Sequence, residues 1–328
     1  MTTSAARPLL VDQIGGPIAH LLADYTEQVR VISGDCENAA PWDVQGADIL
    51  FTRPSRAWAN APSSPPIAWQ KGPRWVQIAS TGIDCFPKWV TEGRLVTCGR
   101  GDAATPIAEY VIASLLHHER QIDTLHPASP KEWETMIAPF RQNPVTGTLR
   151  GRNLGLAGYG AIGRAVANLA SAFGMNIHVL RREPWEGETN GVQPVQSLSE
   201  LFRVSDHLVL AMPLTPDTRH IVGADVLRQA RPGLHLVNVA RGALIDQEAL
   251  LRALNNGRPA FASLDVTTPE PLPEGHPFYT HPRIRLTPHI SWVGPSVRDN
   301  LVRRIRTNLT HFLQGKPLID TVDPARGY

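Results

Sequence analysis

The stretch Asn153-Leu154-Gly155-Leu156-Ala157-Gly158-Tyr159-Gly160-Ala161-Ile162-Gly163 decides how the rest of the chain is read. Its first five residues read as a short buried strand. Three glycines follow at G-x-G-x-x-G spacing. Beyond them Ile162, Val166, Leu169, Ala170 and Phe173 form a helical stripe that stops at Gly174, a helix-ending glycine. Ile177-His178-Val179-Leu180 then reads as a second strand at βαβ distance. A bare glycine triplet is frequent by chance, but in this setting each glycine has a task. Gly158 allows the tight turn, Gly160 lets the backbone approach a pyrophosphate, and Gly163 lets helix and strand pack closely. The helix N-terminus offers unpaired N–H groups and partial positive charge to phosphates. Gly158, Tyr159, Gly160, Ala161, Ile162 and Gly163 are therefore read as a dinucleotide-binding loop. The blander reading, a glycine-rich turn with no ligand, does not explain the flanking strands.

Outward from this unit the β-α alternation continues. His207–Ala211, Leu234–Val239 and Phe261–Val266 read as strands, and residues 283–286 as one more. Upstream, Thr105 is read as a helix N-cap with Pro106 in the first helical position, and apolar residues recur at helical spacing to Leu116. Residues 126–148 are Pro-rich and read as a long irregular connection. In residues 1–99, Pro8–Val11, Ala47–Phe51 and Trp75–Ala79 alternate with helical or polar stretches, which predicts a second parallel α/β unit. Trp42, Trp58, Trp69, Trp75 and Trp89 are read as core. Val297, Leu301, Ile305, Leu309 and Phe312 mark a last helix that could join either unit. Its residues Arg298, Arg303, Arg304 and Arg306 are read as a solvated face, and His117-His118 as surface of the residue-105 helix.

Cofactor choice is expected at the end of the second strand. An acidic residue there accepts from a ribose 2′-hydroxyl, whereas this chain has Arg181-Arg182, 18 residues past Gly163. Two guanidiniums attract a 2′-phosphate and bind it in a fork. NADP(H) is therefore expected over NAD(H), which stays possible. The alternative is that both Arg point to solvent, and Glu183 is the counter-candidate.

Composition narrows the classes. The 328 residues are 42% hydrophobic and 19% charged, which excludes a disordered chain or a coiled coil. The formal net charge is +2, so no bulk nucleic-acid or anionic-membrane partner is expected. No apolar run is long enough to cross a membrane, and Met1 to Gln13 lacks the apolar core of a secretory leader. Three cysteines without a C-x-x-C pair support neither a disulfide framework nor a metal site. A reducing, cytoplasmic setting is the default. Of 32 basic residues 28 are Arg, a residue that grips carboxylate and phosphate. Genome bias explains such a skew equally well.

In open α/β sheets chemistry sits beyond the carboxyl ends of strands. Three candidates follow apparent strands: Arg241, Glu270 within Thr267-Thr268-Pro269-Glu270-Pro271, and His289 within Thr287-Pro288-His289-Ile290. The run Val237-Asn238-Val239-Ala240-Arg241-Gly242-Ala243-Leu244-Ile245-Asp246 resembles the signature of the D-isomer-specific 2-hydroxyacid dehydrogenases. Leu264-Asp265-Val266, Met212-Pro213-Leu214-Thr215-Pro216-Asp217-Thr218 and Pro106-Ile107-Ala108-Glu109 resemble further blocks, in family order. Over residues 1–99 the likeness rests on Ser80-Thr81-Gly82-Ile83-Asp84.

The resemblance implies two Rossmann-like, doubly wound α/β domains with the site in the cleft between them. Residues 100–295 would bind the dinucleotide, and 1–99 plus 296–328 the substrate. It implies a homodimer. It also implies cofactor contacts from Thr105, Met212, Pro213, Thr218, Val239 and Ala240, with Asp265 on the nicotinamide carboxamide. Ser80, Thr81 and Gly82 would hold the substrate carboxylate. The chemistry of the residues agrees. Arg241 can fork onto the carboxylate and ketone of a 2-oxo acid. Histidine is the common side chain whose ordinary pKa lies near neutrality, so His289 suits a proton donor, and Glu270 would orient it and favour its protonated form. The short chain and the Arg pair make glyoxylate and hydroxypyruvate reductases the nearest likeness. Glu270 stands where formate dehydrogenases have Gln. The alternatives are oxidation of another D-2-hydroxy acid by NAD(P)+, and a nicotinamide-sensing corepressor-like binding protein. Turnover separates the last from the others.

Overall fold

Apolar runs such as Ile49-Leu50-Phe51 and Leu208-Val209-Leu210 are buried along their whole length. That is the pattern of parallel strands covered on both faces rather than on one. The computed structural model describes residues 6–326 apart from 45, 123–124, 143–146, 186–188 and 190. The start of the N-terminal stretch read for a leader, and 143–146 of the Pro-rich segment, lie outside the described residues. The chain divides into two units, Met1–Ala103 with Gly294–Tyr328, and Ala104–Val293.

The first unit has five parallel strands, β1 Leu9–Asp12, β2 Arg30–Ser33, β3 Ile49–Thr52, β4 Trp75–Ile78 and β5 Leu95–Thr97, in the order β2-β1-β3-β4-β5. Helices α1 (Pro17–Ala23) and α2 (Arg56–Ala59) follow strands. The last helix, α9 (Pro295–Leu313), joins this unit: Ile305 and Leu309 are fully buried among Leu10, Ile18, Phe51 and Trp75. A second cluster gathers Trp58, Trp69 and Trp89, with Trp42 packed against it. The indoles meet edge-on or tilted, as aromatic quadrupoles prefer.

The second unit carries seven parallel strands: β6 Asn153–Ala157, β7 Asn176–Leu180, β8 Gln193–Pro194, β9 His207–Leu210, β10 His235–Asn238, β11 Phe261–Leu264 and β12 Ile284–Leu286. Their order is β12-β11-β10-β9-β6-β7-β8, so the chain reverses direction across the sheet at β6 and β9. That switch point opens a crevice at the carboxyl ends of the strands. Helices α3 (Ala104–Arg120), α4 (Pro130–Gln142), α5 (Ala161–Ala172), α6 (Leu198–Val204), α7 (Ala224–Arg228) and α8 (Gln247–Asn255) complete it.

Four readings change. Residues 130–142 form a helix, not an irregular connection: Ser129 Oγ accepts from Glu132 N–H and the Glu132 carboxylate accepts from Ala128 N–H. This Ser-x-x-Glu capping signal outweighs the proline content, because Pro130 sits where no helical N–H is needed. Thr105 lies inside the first turn of α3 rather than capping it, since the helix begins at Ala104. Arg304 is not on a solvated face. Its side chain is 10% exposed and is ion-paired with Asp102 at 2.6 Å and with Asp320. His118 is half-buried, stacked on His235 at 4.3 Å between ring centroids.

Candidate active site

The glycine loop follows β6 at the switch point, and each glycine meets a specific neighbour. Gly158 has φ +106°, a conformation that glycine tolerates. A Cβ there would lie 2.6 Å from Ala211 O. A Cβ on Gly163 would run into the carbonyl oxygen of Gly158, so helix α5 packs too tightly on its own loop for any side chain. Gly160, the N-cap of α5, behaves differently: a Cβ there would meet nothing within 4 Å. Open space over a helix N-terminus fits a phosphate group of a dinucleotide. Tyr159, Ala161 and Ile162 are half-buried beside it.

At the end of β7 the Arg181 guanidinium lies 5.0 Å over the Trp185 ring, and Trp185 meets Tyr159 at 5.4 Å. Arg181 is thus held against the glycine loop through two aromatic rings, a cation–π arrangement. Arg182 is more exposed and lies 3.9 Å from Glu183. Neither Trp185 nor its stacking was signalled by the glycine motif. Across the switch point, Thr218 Oγ1 donates to Pro213 O at 2.8 Å and accepts from Thr215 N–H at 2.7 Å, which pins the loop holding Met212. Val239 is buried and Ala240 half-buried after β10. Thr105 is exposed at the start of α3.

Arg241, Glu270 and His289 lie in this second unit, each in a loop past a strand end. His289 Nδ1 is 2.9 Å from Glu270 Oε2. A carboxylate can only accept, so Nδ1 carries the hydrogen and Nε2 is the nitrogen that can face a substrate. Glu270 Oε1 accepts from Thr267 N–H at 3.0 Å. Burial alone would raise the Glu270 carboxyl. The hydrogen bonds from His289 and Thr267 and the charges of His289 and Arg241 outweigh it and hold the group below its usual range. Arg241 Nη1 donates to Ala240 O at 2.8 Å. Its loop is clipped by the fully buried Asn238, whose amide donates to Arg241 O at 2.9 Å and accepts from Ala240 N–H at 3.1 Å. A Cβ on Gly242 would strike the backbone of Thr267, so the Arg241 loop and the Glu270 loop pack backbone to backbone.

Asp265 is 1% exposed and holds the loop that carries His289. Its Oδ1 accepts from Ile290 N–H at 2.9 Å and Thr287 Oγ1–H at 2.7 Å, and its Oδ2 from Ser291 N–H at 2.9 Å. Trp292 Nε1 donates to His289 O at 2.9 Å. Ser80, Thr81 and Gly82 lie in the first unit past β4. There Thr81 Oγ1 donates to Gly99 O at 2.7 Å and Ser80 Oγ to Gly82 O at 2.6 Å.

At the opposite ends of the strands the second unit buries a histidine group. His207 Nδ1 is 3.2 Å from His235 Nδ1, and His235 Nε2 is 2.9 Å from Ser263 Oγ. His207 Nε2 is 3.1 Å from Glu119 Oε1. Burial, reinforced by His207, pushes His118 down to about 4, and burial pushes His235 well below the usual histidine range. Among the described residues no cluster of three or more His, Cys, Asp or Glu could hold a metal ion. No helix among them is long and apolar enough to cross a membrane.

Known proteins resemble this chain in sequence and in fold. Residues 112–291 match the family model described as D-isomer specific 2-hydroxyacid dehydrogenase, NAD binding domain. The chain is 31% identical over 228 residues to glyoxylate/hydroxypyruvate reductase A of Serratia proteamaculans, covering 69% of each chain. It is 35% identical over 227 residues to glyoxylate reductase of Aeropyrum pernix, covering 68% of each. The apo structure of Rhodotorula graminis D-mandelate dehydrogenase superposes with a TM-score of 0.81 over 97% of this chain and 98% of that one, at 24% identity.

Proposed function

Because the chain belongs to the D-isomer-specific 2-hydroxyacid dehydrogenase family, we propose that it reduces a small 2-oxo acid of the glyoxylate or hydroxypyruvate kind to the D-2-hydroxy acid, with NADPH preferred over NADH. The observation that carries this reading is the His289–Glu270 contact of 2.9 Å with Arg241 acting on the same carboxylate. Arg241 presents a planar fork that can take the substrate carboxylate and polarise the adjacent ketone. When bound, the nicotinamide supplies a hydride to the carbonyl carbon. His289 Nε2–H gives its proton to the oxygen that becomes the hydroxyl, and Glu270 stabilises the imidazolium until that transfer. In the reverse direction the neutral ring takes the proton back. Asp265 keeps the His289 loop in place.

Gly158 to Gly163 and the N-terminus of α5 would hold the pyrophosphate, and Arg181 with Arg182 a 2′-phosphate. Thr105, Met212, Pro213, Thr218, Val239, Ala240 and Asp265 are the further candidate cofactor contacts, Asp265 toward the nicotinamide carboxamide. Ser80, Thr81 and Gly82 are candidate substrate contacts. The relatives named as glyoxylate and hydroxypyruvate reductases support the substrate class. Initial rates with glyoxylate, hydroxypyruvate, pyruvate and bulkier 2-oxo acids, each with NADPH and NADH, test the reading. Turnover of none of them would overturn it, and faster turnover with NADH would overturn the cofactor preference.

A further inference from the structure

We propose that Tyr110 and Thr287 are positioning residues for His289, acting through Asp265. The inference rests on the proton-donor role given to His289 above. Tyr110 lies on α3, 155 residues before Asp265 in sequence, yet its hydroxyl is 2.6 Å from Thr287 Oγ1. The direction of the chain of bonds follows from proton counting. Thr287 has one hydroxyl hydrogen and commits it to Asp265 Oδ1 at 2.7 Å, because a carboxylate only accepts. Thr287 Oγ1 must therefore accept, and Tyr110 must donate. The run Tyr110 O–H to Thr287 O–H to Asp265 ends on a carboxylate that also receives Ile290 N–H and Ser291 N–H.

His289 sits between these anchors. Thr287 lies two residues before it, and Ile290 and Ser291 directly after it. Its own N–H donates to Asp265 O at 2.9 Å. Its φ is +53°, a left-handed conformation that a residue with a side chain adopts rarely and that surroundings must impose. The three donors on Asp265 impose it, and Tyr110 sets the rotamer of one of them. Arg241 is held separately, by Asn238 and Ala240. The charged groups facing His289 are Glu270, with Arg241 beside it, and Asp265 beneath its loop.

The test uses the full chain with Thr287→Val, Thr287→Ser and Tyr110→Phe. Two readouts are taken: steady-state reduction of glyoxylate across pH, and the 13C resonance of the labelled His289 ring titrated without cofactor or substrate, assigned with His289→Gln. Thr287→Val is expected to lower kcat on the order of tenfold to a hundredfold, since a misplaced proton donor costs that much. Tyr110→Phe should cost about fivefold, the worth of one neutral hydrogen bond. KM for glyoxylate should stay within about twofold, because Arg241 lies outside the network. In both variants the ring titration and the alkaline limb of the rate profile should move to lower pH, because the contact with Glu270 loosens. Thr287→Ser should restore both. If Thr287→Val and Tyr110→Phe, folded to the wild-type Tm, keep the wild-type titration, the proposal is wrong. A fall in kcat with an unmoved pH profile and titration also overturns it, since that is a loss of folded enzyme. If wild-type protein reduces no 2-oxo acid, the function proposed above falls, and the ring titration still decides the positioning role.

Discussion

His289 Nδ1 lies 2.9 Å from Glu270 Oε2, and the other Glu270 oxygen accepts from the Thr267 N–H at 3.0 Å. The carboxylate is thus fixed at one end by backbone and turns its other end to the imidazole. It selects the tautomer and stabilises the charged ring, the two things a proton donor needs from its partner.

Glu270→Gln keeps the shape and removes the charge. We expect kcat for reduction to fall on the order of a hundredfold with little change in KM, and His289→Ala to cost on the order of 10²–10⁴. The sign of the pH effect follows from the direction of the carboxyl shift. Glu270 is held below its ordinary value of 4.5, so it stays ionised as the pH falls to that value. Wild-type reduction should therefore hold its acid plateau below pH 4.5 and then decline, while Glu270→Gln should show no such decline. Rate profiles of kcat check this.

The Arg181 guanidinium is steered toward the glycine loop by Trp185 and Tyr159. Arg181→Asp should lower kcat/KM for NADPH about tenfold or more and leave NADH within about threefold, since a charge-assisted hydrogen bond contributes about 1.5–3 kcal/mol. Equal losses with both cofactors would remove Arg181 from the choice between them.

Two glycines of the same loop should fail in different ways. Gly163→Ala forces a methyl group into the Gly158 carbonyl. Overpacking of this kind costs about 1–3 kcal/mol, read as a lower urea midpoint. Gly160→Ala meets nothing in the protein and has an ordinary φ of −79°. It should keep the urea midpoint and still weaken dinucleotide binding about tenfold, because the methyl group occupies the space where a phosphate would sit.

The buried histidines give the fold its own pH dependence. His118 is pushed down to about 4 by burial and by His207, whereas in the unfolded chain it titrates near 6.5. Below 6.5 the unfolded chain binds the proton first, so stability is fully present above that pH and falls toward about 4. His235, pushed well below the usual range, acts in the same direction. The urea midpoint should drop between pH 7 and pH 4.5, and His118→Gln should flatten the drop. A wild-type midpoint that is constant across this range would contradict the argument.

Local chemistry made much of this legible. Glycines at 158 and 163 have one workable conformation or packing, so their spacing specifies a strand–turn–helix unit before any contact is known. The residues that follow strand ends, Arg241, Glu270 and His289, could be picked because parallel strands deliver their loops to one edge. The α4 helix has its own local signal in Ser129 and Glu132, which the prolines at 130 and 139 mask. The burial of His118 is not legible in the sequence, because a helix stripe shows which face is apolar and not what lies against the polar one. Here the covering groups are the rings of His207 and His235, from two strands far along the chain.

The sequence by itself determined the strands β6, β7, β9, β10, β11 and β12, the glycine loop between the first two, and the three residues past strand ends that match the chemistry of a 2-oxo acid. These rest on backbone conformations and functional groups that neighbouring residues specify. Tertiary structure alone decided which group donates to which: Tyr110 to Thr287, Thr287 to Asp265, His289 Nδ1 to Glu270. Those bonds depend on positions to a few tenths of an ångström between segments up to 177 residues apart, and only the packed sheet and its helices set such distances.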